Sequence, residues 1–125
     1  MTGSFDFDQR EARVRLFIRG AAGMLHGLEA AVDTGFTEEL TLDTGLIEAL
    51  QLPYVLTEQT MLSDGSIVPC AVHAAKILWD GEERGILVQA GEGTPLLGIG
   101  LLLGYELRLQ VMLGGELQTI KIEEA

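Results

Sequence analysis

The stretch Ala30-Ala31-Val32-Asp33-Thr34-Gly35-Phe36-Thr37 decides how this chain is read. An apolar run, read as a strand, ends on an acid, a hydroxyl and a glycine. A carboxylate in that place is held by a backbone turn rather than left free in solvent. Thr34 can hydrogen-bond across a symmetric pair of such turns, and Gly35 admits a close approach of backbone or substrate. Two such carboxylates brought together cannot both ionise easily, so they share one proton and divide acid and base duties. Their apparent pKa values then belong to the pair.

The tripeptide occurs twice, because Asp43-Thr44-Gly45 repeats it ten residues on. The two turns flank what reads as a single short strand, 36–42, which would hold them on the order of 20 Å apart. The second copy opens directly onto Leu46-Ile47-Glu48-Ala49-Leu50-Gln51-Leu52, a run of good helix formers closed by Pro53. An aspartate in front of a helix is the expected N-cap. Asp43 is therefore read as structural and Asp33 as the candidate catalytic residue, one per chain.

Outward from this stretch, period-two patterns dominate. Val14, Leu16 and Ile18 alternate with Arg13, Arg15, Phe17 and Arg19, the mark of a half-buried strand. Small residues at 20–23 form a turn, and 24–32 returns as a strand into Asp33. Asp64-Gly65 separates strands over 54–63 and 66–79, and Asp80-Gly81 precedes another over 86–90. Gly114-Gly115 joins strands over 105–112 and 117–122. Asp-Gly suits tight hairpin turns in which both central residues have positive φ. The expectation is a mostly β, antiparallel domain over 13–125 with one short helix, preceded by a polar segment, 1–12, prone to fraying. At 125 residues the chain matches one compact domain.

Composition excludes several functions. Eight basic against 19 acidic residues give a net charge of −11, which would repel a nucleic acid. The longest apolar stretch, 95–103, is broken by Gly98 and Gly100 and falls well short of the roughly 20 residues of a membrane span. Cys70 is the sole cysteine, which rules out an intrachain disulfide and a cysteine-based zinc site. His26 and His73 lack ligand spacing. Residues 1–6, Met-Thr-Gly-Ser-Phe-Asp, have neither the basic start nor the apolar block of a secretory signal. A cytoplasmic protein is the simplest reading.

Three separated segments together resemble the retropepsin-like aspartic proteases, particularly small bacterial members. Ala30 to Thr37, with Leu40-Thr41-Leu42, a short helix and Leu52-Pro53 behind it, is similar to the family's catalytic loop and its continuation. The hairpin at Ser63, Asp64, Gly65 and Ser66 lies where the family places its flap. Pro95-Leu96-Leu97-Gly98, followed by Ile99-Gly100-Leu101-Leu102, resembles the family's strand of two apolar residues and a glycine with the helical turn after it. The likeness runs over about 14–111.

What the resemblance implies is specific. The fold would be a retropepsin-like closed antiparallel β barrel with its catalytic site at a homodimer interface. Asp33 of each subunit would activate one water, supported by Thr34 and Gly35, with no metal or organic cofactor needed. The flap would close over an extended peptide, and Leu62, Ile67, Val68, Leu97 and Gly98 would line the cleft. Gly98 would also leave room for the catalytic loop. Two departures stand out. Ile99 and Gly100 occupy positions where retroviral members carry an arginine and an acid or amide that brace the dimer, which implies a weaker dimer. Phe36 stands where they carry alanine. Other functions fit the same residues: a catalytically silent retropepsin-like module that dimerises or binds peptides, or a regulatory partner docking through its acidic surface. A different small barrel with incidental Asp-Thr-Gly turns also fits.

Overall fold

The apolar side of Glu11–Arg19 decides the interior. Ala12, Val14, Leu16 and Ile18 are all buried, while Arg15 and Phe17 face outward, with the Arg15 guanidinium 5.6 Å from the Phe17 ring centre. The computed structural model describes residues 1–123. In chain order these form β1 (Thr2–Asp6), β2 (Glu11–Arg19), β3 (Leu25–Asp33), β4 (Leu40–Leu42), α1 (Thr44–Leu50) and β5 (Tyr54–Met61). Then come β6 (Ile67–Trp79), β7 (Glu82–Ala90), β8 (Leu96–Gly98), α2 (Ile99–Leu102), β9 (Tyr105–Leu109) and β10 (Glu116–Lys121).

Strands β2, β3, β8, β4, β7 and β6 close into a six-strand barrel. The seam is short: Ile18 pairs with Ile77 and Arg19 with Lys76. Outside the ring, β5 extends β6 as a hairpin, and β1, β10 and β9 continue from β2. One row of residues crosses the sheet in register, Val32 beside Leu97, Leu97 beside Leu40, and Leu40 beside Val88. All four pack into the apolar core, which also holds Leu16, Ile18, Leu42, Ile77 and Leu101. Removing a buried leucine from such a core costs about 2–5 kcal/mol. Register partners share a face and neighbours along a strand alternate. The next row therefore lies on the opposite face: Ala31 with Leu96, Asp33 with Gly98, and Thr41 with Gln89.

The structure corrects the sequence reading in four places. Two pairings are parallel, β3 with β8 and β4 with β7, so the barrel is not wholly antiparallel. There are two short helices, since Ile99–Leu102 forms α2. The segment expected to fray carries β1, held between β2 and β10; Gly3 allows this closeness, because a β carbon there would overlap the Arg13 carbonyl. Finally, the strand expected over 36–42 is confined to Leu40–Leu42. The carbonyls of Phe36, Glu38 and Glu39 are taken by the amides of Ile99, Gly100 and Gly98, at the end of β8 and the start of α2.

Candidate active site

Strand β3 delivers Asp33 half-buried to a turn. The Asp33 carbonyl accepts from the Phe36 amide at 3.1 Å, and Oδ1 accepts from the Gly35 amide at 2.9 Å. A β carbon on Gly35 would sit 3.2 Å from that same oxygen, a tight contact that the carboxylate would have to relieve by shifting. Thr34 is exposed at the tip. Asp43 begins a similar turn and diverges one residue later. Its Oδ1 accepts from Leu46 N at 2.8 Å and its carbonyl from Ile47 N at 3.1 Å, so the chain enters α1 with Asp43 as N-cap. The first copy stays open; the second is consumed by a helix.

Three successive amides hold the loop after Asp33. Gly98 donates to Glu39 O at 2.9 Å, Ile99 to Phe36 O at 2.8 Å and Gly100 to Glu38 O at 3.0 Å. Such closeness needs glycine at both ends. A β carbon at Gly98 would overlap the Glu38 carbonyl and the Phe36 ring, and one at Gly100 would sit 2.8 Å from Glu38 O. Gly98 thus does what the sequence suggested for the loop, and it is buried rather than part of a cleft surface.

Within the chain, an arginine of β7 braces the loop. Arg84 donates to Leu101 O of α2 at 3.2 Å and lies 3.6 Å from Glu39 Oε2. The other Glu39 oxygen accepts from Leu87 N at 2.9 Å, and the Arg84 guanidinium stands 5.8 Å from the Trp79 ring centre. One cation therefore ties α2, the loop and the barrel wall together. Sequence reasoning missed Arg84 because a lone arginine in a strand carries no signal of its distant partners.

The β5–β6 hairpin has the three-residue form. Leu62 N donates to Ser66 O at 2.8 Å and Gly65 N to Leu62 O at 2.9 Å, with Gly65 at φ +87°. Only Gly65 is left-handed here, whereas at Asp80-Gly81 both residues are, with φ of 55° and 83°. Asp64 is employed differently: its Oδ1 accepts from Ser66 N at 2.9 Å and Ser66 Oγ at 2.6 Å. These bonds hold the Asp64 carboxyl below its usual value, the hydroxyl contributing most. Ser63 completes the exposed tip.

Of the expected cleft residues, Leu62 and Ile67 are exposed on the hairpin and Val68 is half-buried beside them. Leu97 is corrected: it is 1% exposed and packs in the core, so it lines no open surface. Its neighbour Leu96, half-buried, occupies the face that carries Asp33. Two adjacent leucines look alike in sequence; only register tells which faces in.

No protein-family model matches the sequence, and no curated protein matches it. Solved structures do. The chain is similar to a retropepsin-like aspartic protease from Rickettsia conorii, with a TM-score of 0.59 at 16% identity over 95% of this chain and 88% of that one. It is also similar to the EIAV protease in complex with the inhibitor HBY-793, with a TM-score of 0.52 at 19% identity over 76% of this chain and 88% of that one. The protein has a retropepsin-like fold, the fold of aspartic proteases.

Proposed function

We propose that the protein is an aspartic endopeptidase assembled from two copies of the chain, each supplying Asp33. The observation that supports this best is the seating of Asp33. It ends β3 in register with Gly98, in a loop whose carbonyls are fixed by three amides of the next motif. A carboxylate held on so rigid a support is preorganised for chemistry. Each chain has one such aspartate, since Asp43 is committed to α1, so a two-fold axis between two loops completes the site.

In this mechanism the paired carboxylates hold one water. The ionised member takes a proton from it as the oxygen attacks the scissile carbonyl, and the protonated member donates to the carbonyl oxygen. The Ser63–Ser66 hairpin tips close over the substrate and exclude bulk water. An extended peptide adds its backbone to the site, so recognition is partly independent of sequence.

A peptide-library assay from about pH 3 to pH 8 tests the reading, with a transition-state-like inhibitor as control. Cleavage by the wild type, absent in Asp33→Asn, is expected. Full turnover by Asp33→Asn overturns the assignment. A dimer that binds extended peptides and cuts none at any pH would instead be the silent module.

A further inference from the structure

We infer that the face leading from Asp33 to the β5–β6 hairpin holds a subsite for a cationic side chain, lysine or arginine, of the peptide substrate. Its acceptors are Gln89 Oε1 and the Glu58 carboxylate. The inference rests on the peptidase reading above and adds a substrate class to it.

Register lays out this face one strand at a time. Asp33 on β3 is followed by Leu96 on β8, Thr41 on β4, Gln89 on β7, Val72 on β6, and then Leu56 and Glu58 on β5. Gln89 lies three strand steps across from Ala31, and Asp33 is two residues further along β3, so Asp33 and Gln89 are roughly 16 Å apart, or about four to five residues of an extended peptide. The face is hollow. Val72 is 1% and Gln89 5% exposed, yet neither belongs to the core cluster.

Gln89 is the unusual residue here. Its Nε2 faces Glu58 Oε1 at 3.5 Å, an orientation fixed by the fact that only the N–H end of an amide can face a carboxylate. That leaves Oε1 buried without a partner. Glu58 is half-buried and forms no salt bridge among the described residues. Of the neighbouring polar groups, Thr41 Oγ1 accepts from Leu96 N at 2.9 Å and keeps its O–H, and Cys70 Sγ lies 3.4 Å from Ala90 O.

This face therefore offers two acceptors without a strong partner, and the Thr41 hydroxyl hydrogen is the one neighbouring donor beside them. Unmet buried acceptors are rare in folded proteins. An ammonium brings three donors and a guanidinium five, and each ends an apolar stem. Leu56, exposed beside the buried Val72 of the next strand, supplies the apolar surface for such a stem. The net charge of −11, with Glu38 and Asp64 exposed on the loop and hairpin, draws a cation toward this surface.

The test varies peptides that the protein cuts, placing lysine or arginine against norleucine or citrulline at each of about four positions either side of the scissile bond. At one of them kcat/KM for the cationic peptide should exceed its uncharged match by about 10- to 100-fold. That ratio should fall toward one in Glu58→Gln and drop several-fold in Gln89→Leu. A wild-type ratio of one at every position, or a ratio kept in Glu58→Gln, overturns the subsite. A second arm measures binding of the same peptides, fluorescently labelled, to Asp33→Asn. If the wild type cuts nothing, the peptidase reading fails and this arm alone decides the subsite: tighter binding of cationic peptides supports it, and equal binding overturns it.

Discussion

Gly98 lies directly against Glu38: a β carbon on the glycine would overlap the glutamate's carbonyl oxygen. This contact joins the last residue of β8 to the loop that follows Asp33, and the three amide bonds beside it depend on it. Gly98→Ala must push the loop away or strain β8. The expected cost is about 1–3 kcal/mol of stability, with at least 100-fold loss of kcat/KM because the carboxylate is displaced. Thermal unfolding and peptide turnover measured on the same preparation check both parts.

The two Asp-Thr-Gly turns should separate cleanly under mutation. Asp43→Ala removes the N-cap of α1 and should cost about 1 kcal/mol while peptide cleavage persists below the new Tm. Asp43→Asn, which can still cap, should cost less. Asp33→Asn should leave the Tm nearly unchanged and abolish cleavage. The opposite pattern would assign the roles the other way round.

Much of this contrast was legible in the sequence, and the reason is locality. The Asp43 cap, the apolar side of β2 and the Asp64-Gly65 turn are each set within a few residues. Barrel closure through Ile18 and Ile77 was not legible, because the partners are far apart in sequence and alternation does not name a partner. The same holds for the parallel pairing that brings Gly98 beside Asp33, although family likeness placed the glycine nearby. Leu96 and Leu97 show the limit most sharply. Both are leucine, and a shift of one residue in register would exchange core for surface.

Arg84→Met keeps the aliphatic stem and removes the guanidinium that joins Leu101 O to Glu39. The groups are partly solvent-exposed, so a loss of about 1 kcal/mol is expected. Arg84→Lys should recover only part of it, because an ammonium cannot serve both acceptors in one plane. Urea unfolding of the three proteins measures the order wild type, lysine, methionine.

The hairpin tip should respond to acid. Asp64 has its folded pKa lowered below 3.8 by Ser66. A depressed carboxyl contributes order that is complete above its unfolded value and lost as pH falls through the folded one. The Asp64 carboxyl resonance should therefore titrate with a midpoint below 3.8, and Ser66→Ala should move that midpoint upward. A midpoint unmoved by Ser66→Ala would contradict the bonding seen at the tip.

The central claim is that each chain brings one working aspartate and the enzyme is the pair. Mixing wild type with Asp33→Asn at constant total chain, after dissociation and reassociation, tests it most directly. If activity needs Asp33 from both subunits, it falls as the square of the wild-type fraction, leaving about a quarter at an equal mixture. A linear fall, leaving about half, would mean that each chain works alone and would contradict the account.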